Sequence, residues 1–229
     1  EIYSEKYLNE NLAFRGGTAL HKLFFSSQPR YSEDIDLVQK HAGPIKDIIT
    51  GLRTALAFLG EPKVKQKTNN NTLIFRFDSE NITPVPLRLK VEVNCREHFS
   101  VLGYQERDFS IDTRWFNGTA KIQTYKLEEL LGTKLRALYQ RKKGRDLYDQ
   151  YKAIILSNIN PHDELTCYAS NMAFNKTKQP TTAQFVNNLK YKLHDEGLIG
   201  EPASHLIPGE NYNHEEAFEI VLGNLLEKL

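Results

Sequence analysis

The sequence predicts an α+β protein in which a strand-bearing α/β half, residues 1–120, precedes a helical half, residues 121–229. Three observations carry this. Residues 87–94, LRLKVEVN, alternate strictly, with Leu87, Leu89, Val91 and Val93 on one side and Arg88, Lys90, Glu92 and Asn94 on the other. Leu127, Leu130, Leu131, Leu135 and Leu138 instead form one helical stripe. Composition shifts near residue 120, and helical patterns run from there to the end.

The elements follow in order. Glu1–Asn11 reads as the remnant of a helix packed beside the first strand; the chain opens on Glu1 and not Met, so an upstream helix is expected. Leu12–Arg15 is a short strand that runs into Gly16-Gly17-Thr18 and an apolar helix, Ala19–Phe25, which the SSQ and Pro29 break. Asp34, Ile35, Asp36 and Leu37 alternate as the next strand. Ile48, Ile49, Leu52, Leu56 and Leu59 predict a helix over 45–59 that Gly60 stops. Lys63–Lys67 and Thr72–Phe77 flank Asn69-Asn70-Asn71 as a hairpin, and Lys63, Lys65 and Lys67 read as lysine protection of an edge strand. Residues 99–119 lack a period and read as a loop or short strand anchored by Trp115 and Phe116, with helix resuming at Ile122. Helices are expected over 145–156, 164–174, 182–194 and 214–229, with a loop at Gly197–Gly209.

Apolar residues make up 40% and charged residues 26%, as in a soluble globular protein. No run approaches a membrane span and the polar start is no signal peptide, so no membrane role is expected. Cys95 and Cys167 are far apart and outside any C-x-x-C, which argues against zinc and disulfides and for a reducing cytoplasm. The seven histidines show no ligand spacing. Net charge is only +1, but residues 121–145 hold eight basic residues against Glu128 and Glu129. Such a stripe attracts phosphates, or is simply a solvated helix face.

The chemistry concentrates in residues 12–38. On a strand, Asp34 and Asp36 share a face, and a divalent cation relieves their repulsion. Oxygen-only ligands suit Mg²⁺ or Mn²⁺. Upstream, a glycine turn opening a helix offers backbone N–H groups to a phosphate.

The string GGTAL…RYSEDIDL resembles the AbiEii/AbiGii-type nucleotidyltransferase toxins, which include the MenT toxins, within the DNA polymerase β superfamily. A second stretch, YKLEELLGTKLRALYQRKKGRDLYDQY at 125–151, is similar to the family's Lys helix and R-D-x-Y-D motif. The resemblance implies a polymerase β-like mixed sheet with flanking helices and a C-terminal helical domain. It also implies an NTP as substrate, with Gly16, Gly17, Thr18, Ser32, Lys134 and Arg145 around the nucleotide. Asp34 and Asp36 would hold metal, with Glu92 a third carboxylate or else the partner of Lys90 or Arg88. Lys134 would neutralise the triphosphate, and Asp146 or Asp149 would be needed for activity. Alternatively, Lys134 is a surface lysine, Asp146 an N-cap, and Arg145–Asp149 an i,i+4 ion pair. The acceptor implied is the 3′ end of a tRNA, and the setting a toxin–antitoxin or abortive-infection system with a cognate antitoxin. A transferase acting on protein, or a silent nucleotide- or RNA-binding module, are the rival readings.

Overall fold

The computed structural model describes every residue except Ser26, Glu33, Arg114 and Trp115. Its chain forms two compact units, Glu1–Ala19 with Glu33–Tyr125, and Leu20–Ser32 with Lys126–Leu229. The crossings fall inside a helix and just before the D-x-D strand, so the short segment 20–32 belongs to the second unit.

The first unit is built on a seven-stranded mixed sheet ordered β3-β4-β5-β2-β1-β7-β6. Its strands are β1 (Leu12–Arg15), β2 (Asp34–Gln39), β3 (Lys63–Lys67), β4 (Asn70–Asp78), β5 (Pro86–Asn94), β6 (Tyr104–Asp112) and β7 (Asn117–Tyr125). Strand β2 runs antiparallel to β1 and parallel to β5, and β1 runs parallel to β7. Leu37, Leu73, Phe75, Val91 and Val93 share one face by register and are at most 1% exposed. That face is the covered one; burying such side chains is the main force holding the sheet. Helix α1 (Lys6–Asn11) meets α3 (Lys46–Ala55) at Gly51, where an added Cβ would lie 2.9 Å from Leu8 Cδ2. Ile48, Ile49 and Leu52 of α3 are buried.

Helix α2 (Gly16–Leu23) starts in the first unit and ends in the second. The second unit continues with α4 (Leu127–Gln140), α5 (Gly144–Leu156), α6 (Pro161–Phe174), α7 (Thr182–Lys192), α8 (Glu196–Gly200) and α9 (His214–Asn224). Its core gathers Leu135, Leu138, Leu147, Tyr168, Phe185, Leu189, Phe218 and Val221. Gly132 lets α4 and α6 close up, since a Cβ there would meet the Tyr168 nitrogen at 2.8 Å and the Glu164 oxygen at 2.9 Å.

Two expectations are corrected. The loop or short strand expected over 99–119, with helix from Ile122, is instead a long hairpin: β6 and β7, nine residues each, pair from Tyr104↔Tyr125 to Asp112↔Asn117, and Ile122 lies in β7. Strand β6 is at the sheet edge with no fully buried residue, and its apolar alternation is confined to Phe109 and Ile111, too short to stand out. The loop expected over 197–209 contains most of α8 and a 3₁₀ turn, Pro202–Ser204. Of the two expected anchors, Trp115 lies outside the described residues and Phe116 is 50% exposed.

Candidate active site

Within the first unit, β1 delivers the chain to Gly16 and β2 returns beside it, with Arg15 opposite Asp36. Gly16 has φ +76°, and a Cβ on it would sit 2.3 Å from Asp36 Oδ2. Only glycine fits there, for both conformation and space. The D-x-D carboxylate thus lies directly against the glycine corner that opens α2, whose first-turn N–H groups have no partner within the helix. Thr18 donates its hydroxyl to the Asp34 carbonyl at 2.5 Å, tying the helix start to the strand start. Thr18 itself is buried, and its hydroxyl is spent on that carbonyl.

On β5, Lys90 stands opposite Asp34 and Glu92 opposite Asp36. In-register partners share a face, so Asp34, Asp36 and Glu92 project together. Lys90 Nζ lies 2.7 Å from Asp34 and 3.4 Å from Glu92, so Glu92 does pair with Lys90, along its own strand. Partial burial works against the ammonium, but Asp34 and then Glu92 outweigh it and raise its pKa. Thr72 Oγ1 reaches Glu92 at 3.5 Å. Nearby, Arg15 donates to Glu97 at 2.5 Å. Among the described residues no three His, Cys, Asp or Glu side chains converge as a ready cluster for a metal. The donor set still suits a hard divalent cation: it is oxygen-only, and an ammonium already sits between two of its carboxylates.

The second unit carries the other motif as a buried ionic network. Asp149 is fully buried and receives Arg30 Nε and NH2, each at 2.8 Å, in a bidentate clasp. His21 Nε2 lies 2.8 Å from Asp149 Oδ1 and Lys134 Nζ 2.7 Å from Oδ2. Asp146, equally buried, takes Lys134 at 3.0 Å and Arg141 at 2.6 and 2.8 Å. Burial alone would lift the Asp149 pKa, but Lys134, Arg30 and His21 hold it well below the usual carboxylate range. Asp146 is likewise lowered, by Lys134 and Arg141 against its burial. Burial pushes His21 down, more than Asp149 pulls it up.

These positions answer several alternatives. Lys134 is no surface lysine, being 8% exposed and shared by two carboxylates. Asp146 lies in the first turn of α5, whose N-cap is Lys143. Arg145 pairs with Glu201 at 3.4 Å, while Asp149 is taken by Arg30, His21 and Lys134. Ser32 is half-buried. The basic stripe of 121–145 is broken up as well. Lys121 pairs with Glu106, Lys142 with Asp195, Arg145 with Glu201, and Lys134 and Arg141 with the buried aspartates. Sequence alone gives Arg30 and His21 no role. The available signal is that an arginine beside an acidic motif is seldom buried without a carboxylate to meet it.

A family model described as nucleotidyl transferase AbiEii toxin, type IV toxin–antitoxin system, matches residues 2–220. The chain belongs to the AbiEii nucleotidyltransferase toxin family. This AbiEii protein resembles MenT4, a nucleotidyltransferase toxin of Mycobacterium tuberculosis H37Rv, with TM-score 0.65 and 16% identity over 96% of this chain and 77% of that one. It also resembles a putative nucleotidyltransferase from H. pylori, with TM-score 0.54 and 16% identity over 95% and 87% of the two chains. JHP933 from Helicobacter pylori matches with TM-score 0.54 and 16% identity over 95% and 84%. At such identities these structures speak for the fold. No curated protein matches the chain. Family and fold together make it a nucleotidyltransferase, with an NTP as substrate, of a toxin family whose systems pair the toxin with an antitoxin. Among the described residues no helix is long and apolar enough to cross a membrane.

Proposed function

We propose that this AbiEii protein transfers NMP from an NTP to an RNA acceptor, the 3′ end of a tRNA, in the cytoplasm and under the control of a cognate antitoxin. The observation that carries the reading is the Asp36 carboxylate pressed on Gly16 with Glu92 in register beside it. A phosphate at the start of α2 is then adjacent to the carboxylates. Gly16, Gly17 and Thr18 offer backbone N–H groups to the β- and γ-phosphates at the positive end of the helix. Asp34 and Asp36 would hold Mg²⁺ or Mn²⁺, with Glu92 as a further ligand; the ion, when bound, supplies Lewis-acid polarisation of the α-phosphate. Asp34 and Glu92 must exchange the Lys90 ammonium for that cation. Lys134 spends two of its three N–H donors on Asp146 and Asp149 and keeps a third, which we assign to the leaving phosphates. Ser32 and Arg145 are assigned to the nucleotide by family resemblance alone.

The test is incubation with each of the four labelled NTPs, once with total tRNA and once with cell protein, followed by mass analysis of both. Label on the tRNA 3′ end is expected. Label confined to protein would replace the acceptor, and no label on either would remove the reading.

A further inference from the structure

We infer that the open face of β3, β4 and β5 is the seat of the acceptor RNA strand. This rests on the nucleotidyltransferase reading of Asp34 and Asp36, and it assigns the RNA to residues other than the 121–145 stripe. Register carries the argument. Lys65 faces Thr72, Thr72 faces Glu92, and Glu92 faces Asp36, in one row across four adjacent strands. Lys63, Ile74, Lys90 and Asp34 make the next row. Arg76 faces Arg88 one step further along. The side chains in such rows share a face. The face that bears the acidic site therefore continues outward as Lys63, Lys65, Lys67, Arg76 and Arg88, all exposed. Lys65 lies three strand spacings, about 14 Å, from Asp36.

Edge protection accounts for lysines on β3, the outermost strand, but not for arginines on β4 and β5 inside the sheet. Two arginines directly opposite one another repel, which a sheet avoids unless something anionic relieves them. None of these five cations has an ion pair among the described residues, in contrast to the stripe of 121–145. The acid that β4 adds is Asp78, two residues beyond Arg76 on the same face, and among the described residues it makes no ion pair with either arginine. Lysines at every second residue of β3 stand about 6.7 Å apart, a ladder of like charge that fits a repeating polyanion. The same lysines discourage a protein partner from adding a strand to that edge. Guanidinium groups suit phosphate oxygens in particular.

The test is equilibrium binding of fluorescently labelled tRNA to the full chain without NTP, titrated over salt. Arg76→Glu/Arg88→Glu and Lys63→Glu/Lys65→Glu are each expected to weaken binding at least about tenfold. Each should also flatten the salt dependence, by about 0.7 in log–log slope for every phosphate that is no longer neutralised. Lys46→Glu/Lys178→Glu, an equal charge change elsewhere on the surface, should leave binding within about twofold. Arg76→Lys/Arg88→Lys should retain most of it. Unchanged binding in both face variants, or equal losses in the control, overturns the inference. Because no turnover is read, failure here is separable from failure of the transferase reading, which loss of label transfer reports.

Discussion

Asp149 offers the sharpest quantitative test of the buried network. Asp149→Asn keeps volume and shape, so no cavity forms and the change is electrostatic. An amide oxygen at Oδ1 still accepts from His21 and Arg30 Nε. At Oδ2 an amide NH2 would face Arg30 NH2 and Lys134 Nζ, now 2.8 and 2.7 Å away, donor against donor. Two charge-assisted hydrogen bonds disappear, at about 1.5–3 kcal/mol each. Arg30 is left nearly buried without its carboxylate, while Lys134 keeps Asp146; breaking such a buried pair costs about 3–5 kcal/mol. The two figures agree, so a loss of about 3–5 kcal/mol is expected in urea unfolding. Asp146→Asn should cost less, about 1–3 kcal/mol, because Arg141 is 48% exposed and can rehydrate. A loss under about 1 kcal/mol for Asp149→Asn, or a larger one for Asp146→Asn, would refute the reasoning.

Gly16→Ala combines a left-handed backbone with a Cβ driven into Asp36, so nucleotidyl transfer should fall about a hundredfold; near-normal turnover would contradict the close approach. Lys90→Met removes the ammonium that competes for Asp34, so Mn²⁺ titrated into the variant should bind about two- to fivefold tighter, whereas weaker binding would argue against a cation site there. Glu164 is buried and its pKa is pushed up to about 8 by desolvation, from 4.5. The folded state thus holds a proton the unfolded state has lost, and stability drains as pH rises from about 4.5 to about 8. Glu164→Gln does not titrate, so its unfolding free energy should gain on wild type between pH 5 and pH 8, by up to about 1.4 kcal/mol per pH unit; parallel profiles would contradict this.

Much of this is legible in the chain because local signals and tertiary placement agree. Val91 and Val93 alternate with Lys90 and Glu92, and the strand lies with the valines in the core. Asp34 and Asp36 share a face because the period of a strand requires it. Elements without such a signal escape a reading of the sequence. Strand β6 buries no side chain fully, and only Phe109 and Ile111 mark its half-buried face, a period too short to set it apart from a loop. The partners of Asp149 come from Arg30, His21 and Lys134, over 100 residues apart at the extremes, and no spacing rule connects them. The lysines of β3 look like edge protection until register puts Arg76 and Arg88 on the same face. Counting basic residues along 121–145 cannot reveal that many already face carboxylates.

The most direct measurement is label transfer from α-³²P NTP to tRNA by Asp36→Ala, with thermal unfolding followed alongside. Transfer should vanish while the melting transition stays close to that of the parent chain, since Asp36 lies at the half-buried end of β2 and outside the apolar core. Wild-type transfer by that variant would show that the carboxylates beside the glycine corner are not where the chemistry happens.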